Sequence, residues 1–96
     1  MEKIERDVIV ASLRKENPSA SSERVHLYAD AFLEYQIAQA NIAEHGSITL
    51  HPRTGAPIEN PYVGARGRAV AAMAKCKLQT RQLWAAVWPE QKKAKP

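Results

Sequence analysis

An apolar stripe with heptad spacing runs through the middle of the chain and predicts one long helix. Its positions are spaced 3, 4, 3 and 4 residues apart and are Tyr28, Ala31, Tyr35, Ala38 and Ile42. Val25 and Phe32 widen the stripe on one side. Such a stripe needs a packing partner along its length, and a chain this short has little else to offer it. The pattern therefore predicts a protein that assembles with copies of itself.

Start and stop signals divide the first half of the chain into two helices. The first is predicted over residues 2–16, because the residue before a proline avoids the helical region and Asn17 precedes Pro18. The second is predicted over residues 22–45, with Ser21 or Ser22 as its N-cap. We expect Gly46 to end it in the left-handed conformation that glycine adopts readily.

The segment 47–59 changes character and predicts a small β-hairpin, with an irregular loop as the alternative. Residues 48–50 favour a strand, and residues 56–58 can return as a short second strand. Asn60-Pro61 then predicts a helix over residues 61–78, with Asn as its cap and Pro as its first residue. A last helix is expected over residues 80–88. The fold class is all-α, mainly helical, with a small β-hairpin and a helical-hairpin oligomerisation core.

Small residues on the third helix suggest close packing. Gly64 and Gly67 each lower the intrinsic stability of the helix by about 1 kcal/mol relative to Ala, and one reason to keep them is the approach of another backbone. We predict that the following residues form the core or the oligomer interface: Val25, Tyr28, Ala31, Phe32, Tyr35, Ala38, Ile42, Val63, Val70 and Met73.

The chain length of 96 residues allows one domain with a modest core. We expect a single helical oligomerisation domain over residues 1–88 and a disordered basic tail over 89–96, where apolar residues are scarce. No apolar run approaches the roughly 20 residues that span a membrane. The single Cys76 cannot form a disulfide within the chain and indicates a reducing cytosol.

The net charge of +4 conceals an uneven distribution. Residues 1–60 have a net charge of −3, and residues 61–96 have a net charge of +7. A basic segment can attract phosphate, although charged residues often only solvate a surface. On charge placement alone, the candidate DNA-binding residues are Arg66, Arg68, Lys75, Lys77, Arg81, Lys92, Lys93 and Lys95.

No catalytic arrangement is visible in the sequence. His26, His45 and His51 lack the spacing of a metal site, and no glycine-rich phosphate loop is present. The acidic residues are scattered, without a pair in an apolar setting. We therefore expect no enzyme activity, no metal and no cofactor.

The segment from Val25 to Trp84 resembles the small terminase subunits of tailed bacteriophages. The matching features are Tyr28, Tyr35 and Ala38 on the long helix, then Gly46, Ile48, Gly55, Asn60 and Pro61, and finally Leu78. The family's loop after the third helix usually reads Leu-Gly-Leu, and Lys77 occupies the Gly position here.

This resemblance implies a non-catalytic, ring-forming DNA-packaging factor in the cytoplasm of a bacterial host cell. Its implied partners are copies of itself, double-stranded viral DNA and the large terminase subunit, whose ATPase and nuclease it recruits or regulates. Two alternatives remain. One is a small helical adaptor that binds another protein and no DNA. The other is a dimeric DNA-binding regulator.

Overall fold

The computed structural model describes residues 4–87, which form four helices and one two-stranded antiparallel sheet. In chain order these elements are α1 (Arg6–Glu16), α2 (Ser22–His45), β1 (Ile48–Leu50), β2 (Pro57–Glu59), α3 (Pro61–Cys76) and α4 (Arg81–Val87). The predicted fold class, mainly helical with a small β-hairpin, is confirmed.

Helices α2 and α3 pack side by side as an antiparallel helical hairpin, and the β-hairpin is inserted between them. Three side-chain hydrogen bonds mark the register: Asn60 to Asn41, Arg66 to Gln39, and Arg24 to the carbonyl of Cys76. The stripe of α2 thus meets partners within its own chain.

Helices α1 and α4 complete the core on the same half of α2. The fully buried large side chains come from α1, α2 and α4 and are Ile9, Leu13, Val25, Phe32, Leu83 and Val87. Met73 and Cys76 of α3 join this cluster. Burying a side chain of this size stabilises the fold by about 1.5–3 kcal/mol. Most of the core therefore lies towards the amino-terminal half of α2, away from the β-hairpin.

Asn60 connects the end of α2 to the start of α3. It is only 2% exposed, and its Oδ1 accepts a hydrogen bond from the backbone N–H of Tyr62 at 3.0 Å, which confirms the predicted cap. Its Nδ2 donates to the Gly46 carbonyl at 2.9 Å. Gly46 has φ 84° and ψ 170°, so it is extended with a positive φ and not in the predicted left-handed helical conformation. With this geometry the chain continues directly into β1, and the carbonyl of Gly46 still accepts a hydrogen bond from Asn60.

Two helix ends differ from the sequence prediction. Helix α1 begins at Arg6 and not near residue 2, because the side-chain amide of Gln36 binds both the N–H and the C=O of Ile4, at 2.7 and 3.1 Å. Helix α3 ends at Cys76 and not at residue 78, because Lys77 adopts a left-handed conformation with φ 52° and ψ 49°.

The β-hairpin is short, and few of its residues take part in regular strand pairing. Leu50 lies opposite Pro57, and Ile48 lies opposite Glu59, so the return strand sits one residue later than predicted. The loop is closed by the N–H of His51, which donates to the carbonyl of Ala56 at 2.8 Å. A two-stranded hairpin of this size is marginally stable unless something covers it.

Candidate assembly and nucleic-acid surfaces

Exposed cations extend along α3 and into α4. Arg68 and Lys75 are exposed and lie seven residues apart, which is about two helical turns and places them on the same side of α3. Lys77 and Arg81 are also exposed, at the end of α3 and the start of α4. The sequence from Pro61 to Val87 contains no acidic residue. Within residues 4–87, none of these four cations forms an ion pair, so each is available to an external anion.

Arg66 is placed differently from the other predicted DNA-binding residues. Its Nη1 donates to Oε1 of Gln39 at 2.9 Å, in a partly buried position against α2. Since Arg66 and Arg68 are two residues apart, they project about 200° apart around the helix. Arg66 therefore connects α3 to α2, and the structure does not group it with Arg68 and Lys75.

The carboxyl end of α3 is capped by Arg24, whose role the sequence analysis did not identify. Arg24 of α2 donates from Nε and Nη2 to the carbonyl of Cys76, at 3.1 and 2.7 Å, and from Nη2 to that of Lys77 at 3.1 Å. The last carbonyls of a helix lack partners within the helix and hold partial negative charge. The guanidinium of Arg24 supplies that missing cap and brings further positive charge to this end of α3.

The other three predicted DNA-binding residues, Lys92, Lys93 and Lys95, lie outside the described part of the chain, as does the predicted tail.

The ten predicted core or interface residues fall into three groups by exposure. Six are buried: Val25, Tyr28, Ala31, Phe32, Ala38 and Met73. Three are half-buried: Tyr35, Ile42 and Val63. Val70 is 47% exposed, so it contributes little to the core of a single chain.

An aromatic cluster covers the stripe of α2 where α4 crosses it. The ring of Trp84 meets those of Phe32 and Tyr35 edge-on, with centroids 5.0 and 5.5 Å apart. Its indole N–H donates to the hydroxyl of Tyr28 at 3.0 Å. Burial raises the pKa of Tyr28 above its ordinary value of 10.0. The sequence analysis did not assign Trp84 to this cluster.

Several large apolar side chains remain on the surface. In the β-hairpin, Ile48 is 60% exposed and Leu50 is 67% exposed. On the helices, the exposed residues of this kind are Val8, Leu27, Ile37, Tyr62 and Val70. Isolated apolar residues on a surface are ordinary, whereas adjacent ones often mark a contact with another molecule.

Residues 4–87 show no grouping of three or more His, Cys, Asp or Glu side chains suited to a metal ion. In the same range, no helix combines the length and the apolar character needed to cross a bilayer. The features that remain are thus the exposed cations of α3 and α4 and the exposed apolar residues.

A family model described as "Phage terminase, small subunit" matches residues 3–79. This match covers most of the chain, including α1, α2, the β-hairpin and α3. The chain belongs to the phage terminase small subunit family. Searches of curated proteins and of solved structures return no match.

The residue that ends α3, Lys77, has an unusual backbone conformation. Lys77 occupies the position where the small terminase family usually has Gly, and it has φ 52°. Glycine adopts such a conformation without the steric cost that a Cβ atom imposes. Lys77 therefore adopts a conformation that glycine would adopt at lower steric cost, and it places an exposed cation at the end of α3.

Proposed function

We propose that this small terminase subunit is a non-catalytic, ring-forming packaging factor that binds double-stranded viral DNA and recruits or regulates the large terminase subunit. The observation that best supports DNA binding is a set of four exposed cations that form no ion pair within residues 4–87. They lie on α3, at its end and at the start of α4, in a segment without acidic residues. Helix α2 has the opposite character, with acidic residues at Glu23, Asp30, Glu34 and Glu44. The helical hairpin thus has an acidic helix and a basic helix, and phosphate is attracted to the basic one.

Binding through these cations is expected to depend on phosphate and not on base sequence. Arg68 and Lys75 project from the side of one helix, and neither lies in its first turn, where a recognition helix presents its base-contacting residues. One chain offers few contacts, so its affinity is weak. Repetition around a ring multiplies weak contacts, because each later contact is made at a high effective concentration. The multimer is therefore the form expected to retain DNA.

The DNA surface is tested by replacing Arg68 and Lys75 with Gln in one chain. The matched control replaces Arg14 and Lys15, an exposed Arg and Lys on α1, and changes the net charge equally. DNA retention is measured across a salt series. Each lost phosphate contact should reduce the slope of log K against log salt by about 0.9. We expect a smaller slope and weaker retention only for the α3 variant. Equal retention by both variants would exclude the cations of α3 as the contact.

The tail is tested separately by replacing Lys92, Lys93 and Lys95 with Gln. Weaker retention would show that the tail also contacts phosphate, and unchanged retention would restrict the contact to α3 and α4.

Assembly and the motor partner need two further measurements. Light scattering during size-exclusion chromatography should give the mass of many subunits; a monomer would contradict the ring. Added chain should change the ATPase rate of the cognate large terminase, while the chain alone should hydrolyse no ATP. A multimer that retains no DNA would favour the adaptor, and a dimer with sequence preference would favour the regulator.

A further inference from the structure

The β-hairpin has one apolar face that no other part of residues 4–87 covers. Residues directly opposite each other in an antiparallel pair share a face, and successive residues alternate between faces. Ile48 and Leu50 therefore share a face with Pro57 and Glu59. These residues are all exposed, and the β-hairpin has little contact with the helices.

An apolar groove lies elsewhere on the same molecule, between α2, the second half of α3 and the start of α4. Its cavity volume is about 390 Å³, and its walls include Tyr35, Val70, Ala74 and Trp84. Lys77 is also among the residues that line it. Since a cavity of about 150 Å³ accommodates benzene, this groove has room for two aliphatic side chains.

The character of the groove favours an apolar protein segment over a polar small molecule. A site for a polar ligand usually presents a few polar groups that await a partner. In residues 4–87, every buried side-chain nitrogen and oxygen already has a hydrogen-bond partner, so the groove contains no buried polar atom that lacks one. Lys77 and Thr80 line it as polar residues, but most of its accessible surface is apolar. The exposed half of Val70 instead offers apolar area.

We infer that the apolar face of the β-hairpin of one chain fills this groove on a second copy. The β-hairpin cannot fill its own groove in this fold, because it leaves α2 at Gly46, 11 residues or about 16 Å beyond Tyr35, and its apolar face is uncovered. The charges also match, since Glu59 lies beside Ile48 on the apolar face and Lys77 lies at the groove. In the assembled form Lys77 then faces Glu59, and Arg68, Lys75 and Arg81 are the cations left open to phosphate.

This contact joins two different surfaces, and such head-to-tail contacts produce a closed ring or an open filament. It also provides the cover that a two-stranded hairpin needs to be stable. The inference rests on the assembly proposed above and specifies which surfaces meet.

The test uses cysteine cross-linking in a chain whose native thiol is removed by Cys76→Ala. One chain contains Leu50→Cys in the β-hairpin, and another contains Val70→Cys in the groove. The control chain contains Leu27→Cys, since Leu27 is an exposed leucine on α2, 55% exposed against 67% for Leu50. A short bis-maleimide is added to each chain alone and to mixtures, and circular dichroism verifies that each variant is folded.

A covalent dimer is expected when the Leu50→Cys and Val70→Cys chains are mixed, and a ladder of multimers is expected from a chain with both changes. Each single variant alone should give no more product than the Leu27→Cys control. In a separate chain, Leu50→Asp should raise the concentration for half-assembly by about tenfold or more, because it places a carboxylate in an apolar groove.

Three results would overturn the inference in distinguishable ways. Strong cross-linking of Leu50→Cys to itself would show that hairpins meet hairpins. A wild-type multimer that survives Leu50→Asp and gives no mixed dimer would exclude this contact but leave the proposed function intact. A monomeric wild-type chain would contradict both proposals.

Discussion

Replacing Arg24 tests whether its cap on α3 stabilises the fold more than its charge in the first turn of α2 destabilises it. A cation in the first turn of α2 is unfavourable for the dipole of its own helix, by about 0.3–1 kcal/mol. The same guanidinium makes three hydrogen bonds to the last carbonyls of α3, at 2.7, 3.1 and 3.1 Å. Hydrogen bonds from a charged donor contribute about 1.5–3 kcal/mol each when buried, and less here because Arg24 is exposed. We expect Arg24→Gln to destabilise the fold by about 1–2 kcal/mol.

Urea unfolding followed by circular dichroism measures this change, as a lower midpoint with an unchanged slope. The matched control is Arg14→Gln, which removes another exposed arginine charge, whose guanidinium makes one hydrogen bond within residues 4–87, to Ser22. The control should cost less than about 0.5 kcal/mol. The free energy of unfolding of Arg24→Lys should lie between those of wild type and Arg24→Gln, because lysine keeps the charge but lacks the planar guanidinium. If Arg24→Gln equalled the control or stabilised the protein, the dipole of α2 would outweigh the cap and our reasoning would be wrong.

Three further predictions concern backbone conformation and pH. Gly46→Ala should destabilise the fold by about 1–3 kcal/mol, because residue 46 has a positive φ. Gly67→Ala should stabilise the fold by about 1 kcal/mol, because an added Cβ there meets open space within a helix. Thermal unfolding of the two variants measures both changes. Lys77→Gly should stabilise by up to about 1 kcal/mol by the same assay, since φ is 52°; a lower melting temperature would contradict this. Stability should fall as the pH rises above about 10, because the raised pKa of Tyr28 makes the folded chain hold its proton longer; Tyr28→Phe should flatten this dependence in urea titrations.

The elements of the fold could be predicted where the signal is local. The heptad spacing on α2 and the Asn60-Pro61 pair each specify structure within a few residues, and both elements appear where expected. The bonds that lock the elements together could not be predicted. Gln36 binds the backbone of Ile4 across 32 residues, and Arg24 binds that of Cys76 across 52. Their partners are backbone groups, which leave no mark in the sequence.

The positions of the predicted DNA-binding residues along α3 contain a helical period that the sequence analysis did not use. Counting cations identified a basic segment but grouped Arg66 with Arg68, although helical geometry separates them by about 200°. Applying the helical period to charges as well as to apolar residues would have assigned Arg66 to the α2 side. The role of Lys77 in ending α3 also needed the backbone, because a lysine gives no local signal for a positive φ.

The apolar stripe of α2 has a different consequence for assembly from the one its spacing suggests. A heptad pattern indicates that one side of a helix packs against a partner, but not whether that partner belongs to the same chain. Here Trp84, Met73 and the residues of α1 cover the stripe internally, and Phe32 is 0% exposed. A neighbouring subunit cannot reach Phe32 without unfolding this core. The proposed assembly must therefore use surfaces that the single chain leaves open, and the apolar face of the β-hairpin and the groove beside Val70 match in polarity and charge.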